Sequence, residues 1–212
     1  MMEHPLNIDG PLMGFLNKTG QLIALSVLWL LSCLPVVTAP AATTALYYAV
    51  CKTVRHDRGS ALQEYRRSFR VNLLRGMGAG LPPALLTAML MLNLGILSAA
   101  EGSNLLRWAT LLGLLLLSAA SVYLCPILSR FTMKVTDVWK LSFVMALRFW
   151  YLTLPVMAAA AVGALAQFYL LPIPTLAIFP GAMVLAATWP VEKALRHYMP
   201  RKEENDNSWC YE

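Results

Sequence analysis

The chain has 212 residues, 58% of them hydrophobic and 13% charged, with a net charge of +6 and a mean hydropathy of +0.58. Average soluble domains carry roughly 45–50% apolar and about 25% charged residues, so this balance excludes an ordinary water-soluble domain. The length allows several spans of about 20 residues each and little besides, and basic residues that fall between apolar runs argue for the positive-inside pattern of a membrane protein and against nucleic acid.

Residues 1–19 mix Pro, Gly and polar groups with Leu12, Met13, Phe15 and Leu16, which suits a segment at the interface. They hold Glu3, Asp9 and only Lys18, not the basic start of a secretory signal, so the apolar run that follows is expected to be retained. Gln21 to Thr38 is the first expected span, limited by Pro35 and Pro40. The next segment, AATTALYYAV, is too short to cross alone and is expected to lie along, or partly in, the cytoplasmic face. From Cys51 to Arg75 the chain gathers Lys52, Arg55, Arg58, Arg66, Arg67, Arg70 and Arg75 against Asp57 and Glu64, which makes this a cytoplasmic loop. Gly59 breaks it, and Ser60 to Gln63 has the spacing of a capping box. The helix that starts there places Leu62, Tyr65, Phe69 and Leu73 on one face and Arg66, Arg67 and Arg70 elsewhere. Two readings stand: a helix resting on anionic head groups, and a solvated connector under the bundle.

The second span is expected at 76–99, where Gly76 and Gly80 admit a close neighbour and Pro82-Pro83 free carbonyls one turn back. A polar outer turn (100–107) leads to a third span at 108–126, with Trp108 as an interfacial anchor. Residues 127–149 form a second basic loop, with Arg130, Lys134, Lys140 and Arg148 against Asp137 and with Thr136 as a helix cap. The fourth span (150–171) has a small face at Ala159 and Gly163. An uncharged turn at 172–174 precedes a fifth span, to about Pro190, interrupted at Pro180-Gly181, and a cytoplasmic tail over 192–212. The expected fold is all-α: one transmembrane domain over 20–191, a bundle of about five spans with cytoplasmic amphipathic helices, amino terminus outside and carboxyl terminus inside.

The chemistry in these spans is sparse. They contain no Asp, Glu, Lys, Arg or His, which counts against a proton-coupled carrier. Asn93 and Gln167, together with Thr43, Thr44 and Tyr47, are the candidate ligand or helix-contact residues, and Arg66, Arg67 and Arg70 the candidate lipid head-group residues. Cys33, Cys51, Cys125 and Cys210 are scattered without a CxxC pair or a nearby His, so neither a disulfide framework nor a metal site is expected. His4, His56 and His197 lie outside the spans, no nucleophile, HExxH or phosphate-loop motif appears, and no enzyme activity or cofactor is expected. A faint internal repeat, in which Cys33-Leu34-Pro35 and Cys125-Pro126 each close a span, keeps a small carrier as the alternative.

The residues from Gly10 to Gly76 resemble the amino-terminal signature of the bacterial YesL-like membrane proteins, a domain family of unknown function. The core LPVVT-x-x-P-A-T-x-A-L-Y-Y is met by Leu34 to Thr38, Pro40, Ala42 to Leu46, Tyr47 and Tyr48, one alanine longer before the threonines. A second similarity covers YLCPILSRFTMKVTDVWKLSFVMALRF. The resemblance implies a multi-pass protein of the bacterial inner membrane associated with carbohydrate utilisation, near saccharide importers and sensor kinases. On that footing the expected function is a non-enzymatic accessory component of carbohydrate uptake or sensing.

Overall fold

The computed structural model describes residues 11–99, 103–131, 133–169 and 179–195. Within them the chain is helical: α1 (Pro11–Ser32), α2 (Ala39–Ala49), α3 (Ala61–Ala99), α4 (Asn104–Arg130), α5 (Val135–Arg148), α6 (Trp150–Tyr169) and α7 (Phe179–Leu195). The all-α expectation holds. The interfacial residues 1–10, the outer turn at 172–174 and the tail from 196 lie outside the described residues.

The expected first span at 21–38 needs correction. α1 starts earlier and stops at Ser32, and the chain turns through Cys33 to Pro35 into a 3-10 turn at Val36–Thr38, where Thr38 Oγ1 donates to the carbonyls of Ser32 (2.6 Å) and Pro35 (2.7 Å). The apolar part from Gln21 to Ser32 is about 18 Å long at about 1.5 Å per residue, well short of a hydrocarbon core of about 30 Å. Lys18, near the other end of α1, pairs at 2.9 Å with Asp57 of the basic loop. α1 instead packs Leu25 against Ala45, Leu46 and Ala49 of α2, and Ser26 Oγ accepts the Gly181 N–H at 3.0 Å, joining it to α7.

α2 is an interior helix and not a surface one. Ala41, Ala42, Thr44, Ala45, Leu46, Tyr47 and Ala49 are all buried, because the short side chains of APAATTA let neighbouring helices close in on every side. The closest neighbour is α3, where a Cβ at Gly76 would stand 2.8 Å from Ala41 Cα and one at Gly80 would overlap the Pro40 ring. The close approach expected at this glycine pair is therefore present, and its partner is α2.

After α2 the chain continues as one π-helical turn, Val50–Arg55. The reversal then uses positive φ at Asp57 (49°) and Gly59 (83°). Ser60 stands just ahead of α3 and its carbonyl accepts the Glu64 N–H at 3.0 Å. The amphipathic helix and the second span, expected as separate elements, are a single helix about 58 Å long. It runs unbroken through Pro82-Pro83, with Thr87 Oγ1 donating to the Pro83 carbonyl at 2.7 Å.

α3 and α4 form an antiparallel hairpin. Its register is set by Arg107 Nη2 donating to the Leu97 carbonyl at 2.8 Å and by Leu90 lying against Gly113, which brings the end of α4 level with the stretch of α3 just before Gly76. α5 starts at Val135 with Lys134 in the cap position, so Thr136 sits inside the first turn and is not the cap. At Phe149 the path bends by 96° into α6. α6 packs its Gly163 on the Phe179 ring and Met183 of α7, as the expected small face requires. α7 runs from Phe179 to Leu195 with Pro180 in its first described turn, and the residues ahead of it, on which an interruption of the expected span would show, lie outside the described residues.

Among the described residues, α3 and α4 are each long and apolar enough to cross a membrane, and the bent pair Val135–Arg148 with Trp150–Gly163 meets the same test when taken together. That gives two or three crossings by length and composition, against the five expected.

Candidate functional site

The strongest polar feature lies where α2, α4 and α7 converge. Glu192 on α7 is buried, and its carboxylate accepts a hydrogen bond from Arg130 Nη2 of α4 on Oε1 (2.5 Å) and forms an ion pair through Oε2 with Arg55 Nη1 of the π-helical turn (2.8 Å). The Cys51 thiol donates to the same Oε1, and Arg130 Nη2 lies 3.4 Å from Cys51 Sγ. The side chains of Arg130 and Glu192 are each only 4% exposed. Four side chains from three segments thus share one buried charge cluster, with two cations around one anion.

The local sequence explains why these residues meet. The π-helical turn adds a residue to the backbone ring, which rotates Cys51 and Arg55 onto the α4–α7 side; such turns are frequent at functional positions. Arg130 closes α4 and Glu192 follows Pro190 in the last turns of α7, so both stand at the same end of the bundle. Nearby, Lys52 pairs with Glu64 at 2.8 Å and lies over the Tyr48 ring, tying the turn to α3.

Cys51 Sγ, a ring nitrogen of His56 and a Glu192 oxygen lie within 4.8 Å of one another, the spacing of a three-ligand metal site. The donor set does not suit a cation, because Glu192 is already matched by two guanidinium groups. Burial, followed by the hydrogen bond and charge of Glu192, pushes the Cys51 thiol up to about 12, against the pull of Arg130. A metal needs the thiolate, which this setting disfavours. The arrangement is an ion-pair cluster.

A cleft of about 520 Å³ opens beside it between α2, α4, α6 and α7. Its walls are mainly apolar, with Pro155, Ala159, Met183 and Pro190 among them, and Thr43 and Tyr47 reach it from α2. Thr43 Oγ1 donates to the Ala39 and Pro40 carbonyls (3.0 and 2.9 Å) and lies 3.3 Å from Cys125 Sγ. Thr44 Oγ1 donates to the Pro40 carbonyl at 2.8 Å. Both threonine protons are therefore taken by their own helix. Tyr47 Oη is buried and makes no hydrogen bond among the described residues, and it faces the charge cluster at the cleft's inner end.

The structure gathers the sequence candidates only in part. Thr43 and Tyr47 line the cleft and Thr44 is buried beside them, whereas Asn93 is exposed near the far end of α3. The Gln167 side chain lies outside the described residues. Arg66, Arg67 and Arg70 are not buried, and Arg67 alone of the three lines a pocket, described below. Sequence reasoning missed Glu192, Arg130, Arg55 and Cys51 as a group. A signal did exist: Glu192 is a single acid at the end of an apolar run, and Arg130 closes another.

The fold defines an all-helical protein with helices of membrane-crossing length and apolarity. A family profile described as a protein of unknown function, DUF624, matches residues 22–94. This stretch holds the second half of α1, all of α2 and the π-helical turn, and nearly all of α3, so it includes the α2–α3 glycine contact. No curated protein and no solved structure matches the chain.

Proposed function

We propose that the chain is a membrane-embedded, non-enzymatic accessory component of carbohydrate uptake or sensing, held in the bacterial cytoplasmic membrane with its basic end inside. The observation that carries the membrane part is the α3–α4 hairpin, on which Leu85, Met89, Leu92 and Ile96 are each 68–70% exposed, a surface that only lipid or an apolar partner covers favourably. The carbohydrate part rests on the YesL-like resemblance, which points to saccharide-importer or sensor-kinase subunits as partners. The positive-inside rule favours a cytoplasmic basic end and carboxyl-terminal tail. From α3 onward the scheme keeps the four expected crossings at 76–99, 108–126, 150–171 and 174–190, while the Lys18–Asp57 pair favours the start of α1 on the basic side and so replaces the outside amino terminus of the sequence reading.

The reading is tested by gentle solubilisation from native membrane and by deletion. An importer or sensor subunit should copurify, and growth on at least one oligosaccharide should fall. Recovery of no such subunit together with unchanged growth on every oligosaccharide would sink it.

A second reading, a small carrier of a sugar or metabolite, is favoured by the cleft and by the unmatched Tyr47 hydroxyl at its inner end. Liposomes holding only this protein would then accumulate a labelled solute, and Tyr47→Phe would slow that uptake. The continuous course of α3 through Pro82-Pro83 removes one of the two broken-helix supports for this alternative.

A further inference from the structure

A second pocket, about 200 Å³, lies between the first half of α3 and the end of α4. Its lining includes Arg67, Arg75 and Arg130 and no carboxylate. Arg67 and Arg75 are two turns apart on α3 and so share a face. Arg130 meets them from α4 because the antiparallel register brings the end of α4 level with that stretch. Its guanidinium is fixed from behind by Glu192 at 2.5 Å, so one cation is held in place before any ligand arrives. Ser129 also lines it but gives its proton to the Pro126 carbonyl at 2.7 Å, and Leu128 and Phe131 close the apolar side.

We propose that this pocket binds a phosphate ester, and that its position suits the head group of an anionic phospholipid. Guanidinium groups match phosphate oxygens in a planar fork, and here the exposed Arg67 and Arg75 line one small cavity with Arg130, which is paired with Glu192 in a cluster that keeps one net positive charge. The pocket sits directly before Gly76, where α3 changes from basic to apolar, which is the level of lipid phosphates if α3 crosses the bilayer. Basic pockets between helices at that level are a recurrent head-group site. The assignment differs from the sequence reading of Arg66, Arg67 and Arg70 as one cluster, since neither Arg66 nor Arg70 lines the pocket. The choice of lipid rests on the membrane reading above; the phosphate chemistry does not.

The test uses the full chain purified in mild detergent, with phosphatidylglycerol, phosphatidylcholine and inorganic phosphate as separate probes read by native mass spectrometry and by melting temperature. Phosphatidylglycerol should be retained and should raise the melting temperature where phosphatidylcholine does not. Arg67→Gln with Arg75→Gln should weaken retention by about tenfold or more, from lost charged hydrogen bonds. Arg66→Gln with Arg70→Gln should leave it nearly unchanged. Saturation by inorganic phosphate without preference for phosphatidylglycerol would uphold the phosphate site and make the ligand a soluble ester. Equal losses in the two double variants, or no response to either phosphate probe, would overturn the proposal. Because Arg67 and Arg75 are exposed, equal melting temperatures without ligand would verify that the variants fold. Binding in detergent is read independently of membrane orientation, so its failure and a failure of the membrane reading are separate results.

Discussion

The two halves of α3 belong to one helix and obey opposite rules. From Ala61 to Gly80 the buried positions are Ala61, Tyr65, Ser68, Asn72, Gly76, Ala79 and Gly80, and the exposed ones are mainly arginines until Val71 and Leu74 join them. From Leu81 to Ala99 the outward positions are Leu85, Met89, Leu92 and Ile96, with α4 as the main neighbour. Water-facing helices hide apolar groups, whereas helices in lipid turn them out and pack through small residues. The exposed positions turn from basic to apolar between Val71 and Gly76, which marks where the surroundings change, and the buried ion cluster lies on the basic side of that point with the α2 contact at the boundary.

The largest effect is expected from removing the anion that holds the basic half together. Glu192→Ala leaves Arg130 and Arg55 without their carboxylate, a loss of about 3–5 kcal/mol for a buried pair, read as a fall in melting temperature in detergent. Glu192→Leu combined with Arg130→Met should recover much of it, since an apolar pair of similar size replaces the charges. The contrast between the halves sharpens with glycines. Gly80→Leu drives a side chain into Pro40 and should cost roughly 1–3 kcal/mol or more, while Gly95→Leu, with no atom within 4 Å of its Cβ position, should be close to neutral.

A pH effect follows from Cys51. Its folded-state pKa, pushed from 9.0 to about 12, means that the folded chain keeps the thiol proton where an unfolded chain gives it up. That contribution is full below about 9 and fades as pH rises toward about 12. Melting temperature should therefore fall over this window, and Cys51→Ala should flatten that part of the curve. The smallest effect is expected at Lys18→Ala, which removes an exposed ion pair with Asp57 and should cost under about 1 kcal/mol.

The sequence carried the parts that depend on local composition. The helical class, the break at Gly59, the Gly76 and Gly80 contact and the small face at Gly163 were all readable, because each follows from residue size and spacing. Helix ends were less readable. Gln21 to Thr38 is apolar throughout, and only the hydrogen bonds of Thr38 decide that the helix stops at Ser32. The ion cluster was hidden for a different reason: the contacts between its three segments join residues 62 to 141 positions apart, and each member has the look of an ordinary loop or tail residue. Charge counting assigns such residues to a face of the bilayer and cannot show that they meet.

The central claim is that the basic half of α3 and its preceding loop face the cytoplasm while the hairpin tip emerges on the other side. Single cysteines at Arg58 and Ser103, in a chain with Cys33, Cys51, Cys125 and Cys210 replaced, test it with an impermeant maleimide on intact spheroplasts. Ser103→Cys should label before lysis and Arg58→Cys only after it. Labelling of Arg58→Cys in intact spheroplasts, or of both positions together, would contradict the account.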